Sequence, residues 1–225
     1  MIVKEFAIDD LNMEYLVGIN QINFDFSGVL KTNNLKSEED GLNFLFKLID
    51  TIQSKFKDSV VQFFRTRYLL NPEHVFLACY FVQKAFYNCI NISNTKNIEL
   101  FLYLSAKRQI KNSLDAFGIS IEDLWGSTLT YCIISPENNL NQINKEIFQH
   151  LNATEIEFNL ELKNIEKYDT LRGFFDLSNN QINTVLKSYG IAGHQVKEAL
   201  DNQVIALQDL ICEKMSILSL EKTKT

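Results

Sequence analysis

Residues 97–119 constrain the fold more than any other part of the chain. A wholly apolar run, residues 100–104, is followed directly by polar residues, of which Lys107 and Arg108 are cationic. The run has the length of a strand that is covered on both faces, so we predict a strand there. The later apolar residues have helical spacing and are predicted to lie on one helix stripe, made of Ile110, Leu114 and Phe117. Gly118 is positioned to end this helix.

The start of that predicted helix carries positive charge. With Ser105 as the N-cap, the first turn contains Lys107 and Arg108, and Lys111 follows one turn later. The unpaired backbone N–H groups and the dipole of a helix start attract anions, whereas cations there are unfavourable by up to about 1 kcal/mol each. The pattern therefore favours a phosphate-containing ligand, and a solvated first turn is the alternative.

The overall charge limits what kind of nucleic-acid contact the chain could make. The formal net charge is −6 at pH 7, with 22 basic and 28 acidic residues. General nucleic-acid binders neutralise many phosphates with Lys and Arg, so we expect a local RNA contact and no DNA binding. Arg65 and Arg67 form a second basic stretch, and His74 follows them at a helix start.

Composition and periodicity predict one α+β domain that spans residues 1–225. With 2 prolines and 8 glycines, the sequence contains nothing that resembles a linker. We predict a small, mixed, mainly antiparallel sheet that is covered by helices. Besides the run described above, the strands are predicted at residues 14–26, 60–64, 129–135 and 155–162. The further helices are predicted at residues 37–56, 71–88, 141–151, 178–189 and 193–218. Residues 221–225 are expected to fray.

The sequence contains no motif for catalysis or cofactor binding. Neither G-x-x-x-x-G-K nor G-x-G-x-x-G occurs, and the 4 cysteines have no C-x-x-C spacing. His74 and Cys79 do not share a helix face, so they are poorly placed for nucleophilic catalysis. We therefore expect no enzymatic activity, no cofactor and no metal. Because no long uncharged window or signal peptide is present, we expect no membrane contact and a location in the cytoplasm or, in a eukaryote, also the nucleus.

Three sequence anchors occur in the order found in a known family. They are Leu102 to Ile110 with Phe117-Gly118-Ile119, Val61 to Ala78 with its His-containing helix start, and Tyr189-Gly190-Ile191 with residues 210–218. In these anchors the chain resembles the TPRKB-like family of kinase-binding accessory subunits of the KEOPS (EKC) complex. Two features depart from the family pattern. Ala106 stands where the family commonly has Gly, and residues 136–172 form a longer, more acidic insert.

The resemblance implies a non-catalytic subunit with two partners. One is the small atypical kinase/ATPase of the complex, and the other is tRNA, recruited through its 3′ CCA end for threonylcarbamoylation of the adenosine beside the anticodon. We predict that the tRNA contacts are made by Lys107, Arg108, Gln109, Lys111, His74, Arg65 and Arg67. We predict that the kinase subunit binds the last helix through Val204, Leu207, Ile211, Met215 and Leu218. A scaffold that never contacts RNA, and a small enzyme that uses His74 with a carboxylate, are the alternatives.

Overall fold

The chain forms two compact units, each built from two chain segments. The computed structural model describes residues 1–158, 165–191 and 196–220. Unit 1 consists of Met1–Thr66 and Gly118–Asn159, and unit 2 of Arg67–Phe117 and Leu160–Thr225. The predicted α+β class, with a small antiparallel sheet and a long C-terminal helix, is confirmed. The extent of a single domain over residues 1–225 stays a prediction.

The elements are numbered in chain order. The strands are β1 Ile2–Ile8, β2 Met13–Asn23, β3 Val60–Phe64, β4 Thr128–Ser135 and β5 Thr154–Glu155, and a 3-10 turn covers Asp9–Leu11. The helices are α1 Phe26–Thr32, α2 Glu38–Lys55, α3 Pro72–Tyr87, α4 Lys96–Ser105, α5 Ile110–Phe117, α6 Ile121–Trp125, α7 Leu140–Leu151, α8 Ile165–Phe174, α9 Asn179–Ser188 and α10 Val196–Leu220.

Unit 1 is built on the sheet, whose strand order is β1-β2-β4-β3, with β5 also paired to β2. Each of these pairings is antiparallel, and Cys132 in the middle of β4 faces Ile19 of β2 and Gln62 of β3. The predicted strand at 14–26 ends earlier than expected because Phe26 already begins α1. Sequence reasoning missed β1. Of the predicted strand at 155–162, only Glu155 pairs as a strand, and residues 159–162 lie outside the described part of the chain.

Local capping signals set the helices of unit 1. Ser37 accepts a hydrogen bond from the Asp40 N–H at 3.1 Å, while the Asp40 carboxylate accepts from the Ser37 N–H, which completes a capping box at the start of α2. Apolar side chains of α2 and α7 then join β3 and β4 in one buried cluster that includes Ile52, Phe63 and Ile147. This cluster is the core of unit 1.

Unit 2 is helical in its described residues, and its first helix begins as predicted. Asn71 caps α3 by accepting a hydrogen bond from the His74 N–H at 3.0 Å, and Pro72 is the first helical residue. The predicted strand at residues 100–104 is wrong, because these residues lie in α4. All of them are buried, so this helix is apolar on every side along the run. A short apolar run of this kind fits a buried strand and a buried helix equally well.

Helices α5 and α10 agree with the sequence-based predictions only in part. Helix α5 contains Ile110, Leu114 and Phe117 and ends before Gly118 as predicted. Of these three residues only Phe117 is buried, since Ile110 is 42% exposed and Leu114 36% exposed. Helix α10 is long, as predicted, and its predicted start at residue 193 lies outside the described residues, as does the 221–225 tail. None of the helices in the described ranges is long and apolar enough to cross a bilayer.

Candidate nucleic-acid interface

A cleft of about 560 Å³ lies in unit 2 between the α4–α5 turn and the last turns of α10. Its lining residues are Ala106, Lys107, Arg108, Gln109, Asn112, Lys214, Ile217 and Leu218. This volume falls within the range of small-ligand sites. Among these described lining residues, three are cationic and none is acidic. The described lining of the cleft is therefore positively charged, although the chain as a whole is acidic.

The α4–α5 turn that forms one wall is a helix end rather than a helix start. Ala106 adopts a left-handed conformation with φ of 50°. The Ala106 N–H donates to the Tyr103 carbonyl at 3.0 Å and the Lys107 N–H donates to the Leu102 carbonyl at 3.1 Å, which is the bonding pattern of a Schellman motif. The turn thus satisfies the last carbonyls of α4 and directs the following residues toward the cleft.

Ser105 does not cap a helix start, so that prediction is wrong. It is the last residue of α4 and is buried, and its hydroxyl donates to the Leu102 carbonyl at 3.1 Å and lies 2.6 Å from the Ser113 hydroxyl. Helix α5 begins at Ile110 instead. Lys107 and Arg108 therefore precede the helix by three and two positions, and of the three predicted cations Lys111 lies in its first turn.

Arg108 joins the turn to the end of α10. Its Nη1 donates to the Leu218 carbonyl at 2.9 Å, and Leu218 lies in the last turn of α10. The last carbonyls of a helix have no partner within the helix, and a cation there also favours the helix dipole. Arg108 therefore has a structural role in addition to its charge. Gln109 and Lys111 are exposed, and the Gln109 side chain accepts a hydrogen bond from Asn112 at 2.6 Å.

Lys107 and Arg67 contact one pair of stacked aromatic rings. The Lys107 ammonium lies 4.0 Å from the centre of the Phe174 ring, and the Arg67 guanidinium lies 5.3 Å from the centre of the Tyr68 ring. Tyr68 and Phe174 stack on each other with their centres 4.1 Å apart. Two predicted site residues that are far apart in sequence are thus brought to the same aromatic cluster through cation–π contacts.

A family comparison identifies the kind of protein that carries this cleft. A family model described as kinase binding protein CGI-121 matches residues 43–219, which is well over half of the chain. The chain belongs to the CGI-121 family. The match extends from α2 into α10 and includes every residue that lines the cleft. No curated protein matches the sequence.

Two other predicted tRNA contacts of this CGI-121 family member have structural partners in the fold. Arg65, in unit 1, forms an ion pair with Asp123 at 2.6 Å, and the same carboxylate accepts the Ser120 N–H at 2.7 Å. Its charge therefore stabilises the start of α6.

His74 is not presented to a ligand, which corrects the expectation that it contacts tRNA or a substrate. It is 1% exposed, its Nδ1 accepts from the Leu70 N–H at 3.3 Å, and its Nε2 donates to the Leu104 carbonyl at 3.0 Å. Burial lowers the pKa of His74 to about 4, so the ring is neutral near pH 7. A neutral, enclosed imidazole that bonds two backbone groups holds α3 and α4 together and cannot reach a phosphate.

The kinase-interface residues predicted on α10 are mostly core residues, which is a second correction. Leu207, Ile211, Met215 and Leu218 are all buried within the fold, and only Val204 is partly exposed. The apolar stripe of α10 is used to pack the helix, so these four side chains are not available to a partner. Among residues 201–218 of this helix, whose side chains the structure describes, the exposed large apolar residues are Ile205, at 46%, and Ile217, at 41%.

Sequence reasoning missed Lys214 and Phe174. Lys214 shares a helix face with Ile217 and Leu218 through the i, i+3, i+4 spacing, so the helical phase of α10 could have placed it beside them. Phe174 follows an acidic segment more than 60 positions after Lys107, and no local pattern links the two.

Proposed function

We propose that this protein is the non-catalytic subunit of a KEOPS complex that binds the small atypical kinase/ATPase and recruits tRNA by its 3′ CCA end. The tRNA is thereby presented for threonylcarbamoylation of the adenosine beside the anticodon, in the cytoplasm or nucleus. Membership of the kinase-binding CGI-121 family supports the proposed binding to the kinase. The observation that best supports tRNA recruitment is the cleft, whose described lining has three cations and no carboxylate.

The shape and charge of this cleft suit a single-stranded tail better than a duplex. A duplex binder needs positive charge spread over a wide face, whereas this chain has net charge −6 and the described lining of the cleft places three cations together without a carboxylate. An unpaired tail can bend into a concave site and expose its phosphates and base edges there. Lys107 and Lys214 would contact phosphates, and Gln109 has the amide chemistry to bond a base edge.

An electrophoretic mobility shift assay on tRNA with and without its 3′ CCA end tests the proposed recruitment of tRNA. We expect tight binding of the intact tRNA and at least a tenfold loss when the CCA is removed. Lys107→Gln and Lys214→Gln should each weaken binding of the intact tRNA. Lys47→Gln, a change of an exposed lysine on α2 that does not line the cleft, should not. Equal binding of the two tRNAs would contradict recruitment through the 3′ end. The alternative, a protein scaffold that does not contact RNA, would then remain.

We assign the kinase contact to the exposed apolar part of α10 around Ile205, with the partly exposed Val204 beside it in sequence. Ile205 and Ile217 are a matched pair, since both are isoleucines of similar exposure on one helix and only Ile217 lines the cleft. Ile205→Asp should abolish co-purification with the kinase and leave tRNA binding intact. Ile217→Asp should do the opposite, because it adds a carboxylate to the cationic cleft. The assignment to α10 fails if Ile205→Asp still co-purifies with the kinase.

A further inference from the structure

Lys107 contacts both the cationic cleft and an aromatic ring. Its side chain lines the cationic cleft, yet its ammonium group lies 4.0 Å from the centre of the Phe174 ring, which does not line the cleft. The lysine side chain therefore separates the cleft from the aromatic ring. If the ammonium group moved, the cleft would extend to that ring.

The Phe174 ring is held rigidly by other aromatic rings. Tyr68 stacks on it at 4.1 Å with an interplanar angle of 18°. Phe117 and Phe175 lie nearly perpendicular to it, with centres at 6.0 Å and 4.9 Å. Because Tyr68 occupies one face at stacking distance, the Lys107 ammonium lies over the opposite face. The three neighbouring rings define the orientation of Phe174, and the residue is only half-buried, so part of it reaches solvent.

The Lys107 side chain is long and flexible, and a weak cation–π contact keeps it over this face of the Phe174 ring. The cation–π contact of a partly exposed lysine is weaker than a charge-assisted hydrogen bond to phosphate, so an incoming phosphate draws the ammonium group away. An unpaired base that follows the phosphate can then stack on the uncovered ring. Base–aromatic stacking changes affinity by about 5- to 150-fold per base.

We propose that Phe174 is a stacking platform for an unpaired base of the bound tail, and that Lys107 leaves the ring to hold the adjacent phosphate as the base arrives. This proposal rests on the proposed function, because the single-stranded tail supplies both the phosphate and the base. It adds a binding residue outside the cationic segment. It also gives Lys107 two positions, one on the ring and one on the phosphate.

The test uses tRNA that carries 2-aminopurine in its 3′ tail, whose fluorescence is quenched when the base stacks. With the wild-type chain we expect quenching on binding. Phe174→Leu, which keeps an apolar side chain but removes the stacking face, should abolish the quenching and weaken binding at least 5-fold, while the salt dependence stays the same. Lys107→Gln should show the reverse, with quenching retained and the slope of log affinity against log salt reduced by about 0.7.

A measurement on the unaltered chain keeps the test valid if Phe174→Leu fails to fold. A photoreactive base at the end of the tail should crosslink to the tryptic peptide of residues 173–187, which contains Phe174. Tail-dependent binding with unchanged quenching in folded Phe174→Leu overturns this inference alone, as do crosslinks that map only elsewhere. Equal binding of tRNA with and without the tail overturns the proposed recruitment of tRNA, and this inference with it.

Discussion

Ala106 lies in the α4–α5 turn in a left-handed conformation that is unfavourable for a residue with a Cβ atom. Ala106→Gly should therefore stabilise the protein. The φ of 50° lies in the left-handed region, where the Cβ of a non-glycine residue costs about 1–2 kcal/mol. Glycine removes this cost but loses about 0.5–1 kcal/mol of additional chain entropy on folding. The net gain is therefore between about 0 and 1.5 kcal/mol. For a chain of 225 residues each 1 kcal/mol corresponds to a rise in Tm of about 2–4 °C.

Gly190→Ala provides the matched control of opposite sign. Gly190 follows α9 with φ of 70°, and an added Cβ there would meet no atom within 4 Å. Any loss of stability must therefore come from the backbone conformation rather than from a clash. We expect Gly190→Ala to lower the free energy of unfolding by about 1 kcal/mol.

Urea denaturation followed by circular dichroism measures both variants against the wild type. Ala106→Gly should raise the midpoint with an unchanged slope, and Gly190→Ala should lower it. Affinity for tRNA should stay within twofold for Ala106→Gly, since the charges of the cleft are unchanged. A destabilising Ala106→Gly would refute the left-handed turn, and with it the placement of Lys107 and Arg108.

Three further changes test the interior of the fold. His74 is neutral in the fold with a pKa of about 4, against 6.5 when unfolded, so stability should be complete above pH 6.5 and fall by up to about 3 kcal/mol as the pH drops toward 4; His74→Gln should flatten this part of a stability–pH profile. Glu99 is fully buried and accepts the Ile92 and Ser93 N–H groups at 3.0 and 2.7 Å, so Glu99→Gln should cost about 2 kcal/mol in urea denaturation, and a neutral result would contradict a structural role. Ile211→Asp places a charge at a position 2% exposed and should collapse the thermal melt, whereas a folded variant that lost only the kinase would restore Ile211 as an interface residue.

Elements with local start signals could be predicted from the sequence alone. The Ser37 capping box and the Asn71-Pro72 pair act within one helical turn, so they define α2 and α3 without knowledge of the packing. The apolar run at 100–104 contains no such signal. Its five residues are buried in a helix, and only the packing of unit 2 distinguishes that helix from a strand.

The same distinction holds for the candidate site. The cationic turn at Lys107 and Arg108 is visible in the sequence because it is local. The partners that give it a shape, Phe174 and Lys214, come from α8 and α10, and only the fold brings them to the turn. The stripe of α10 shows that the helix has an apolar face. It does not show that packing uses Leu207 and Met215 and leaves Ile205 exposed.

The salt dependence of tRNA binding tests the central claim most directly. Fluorescence anisotropy of a tRNA with an intact 3′ CCA end, measured over a range of salt concentrations, gives the number of phosphates that the protein neutralises. With three cations in the cleft, log affinity against log salt should have a slope of about −2, and Lys214→Gln should reduce it to about −1.4. A slope that is near zero, or one that Lys214→Gln leaves unchanged, would contradict binding of the tail in this cleft.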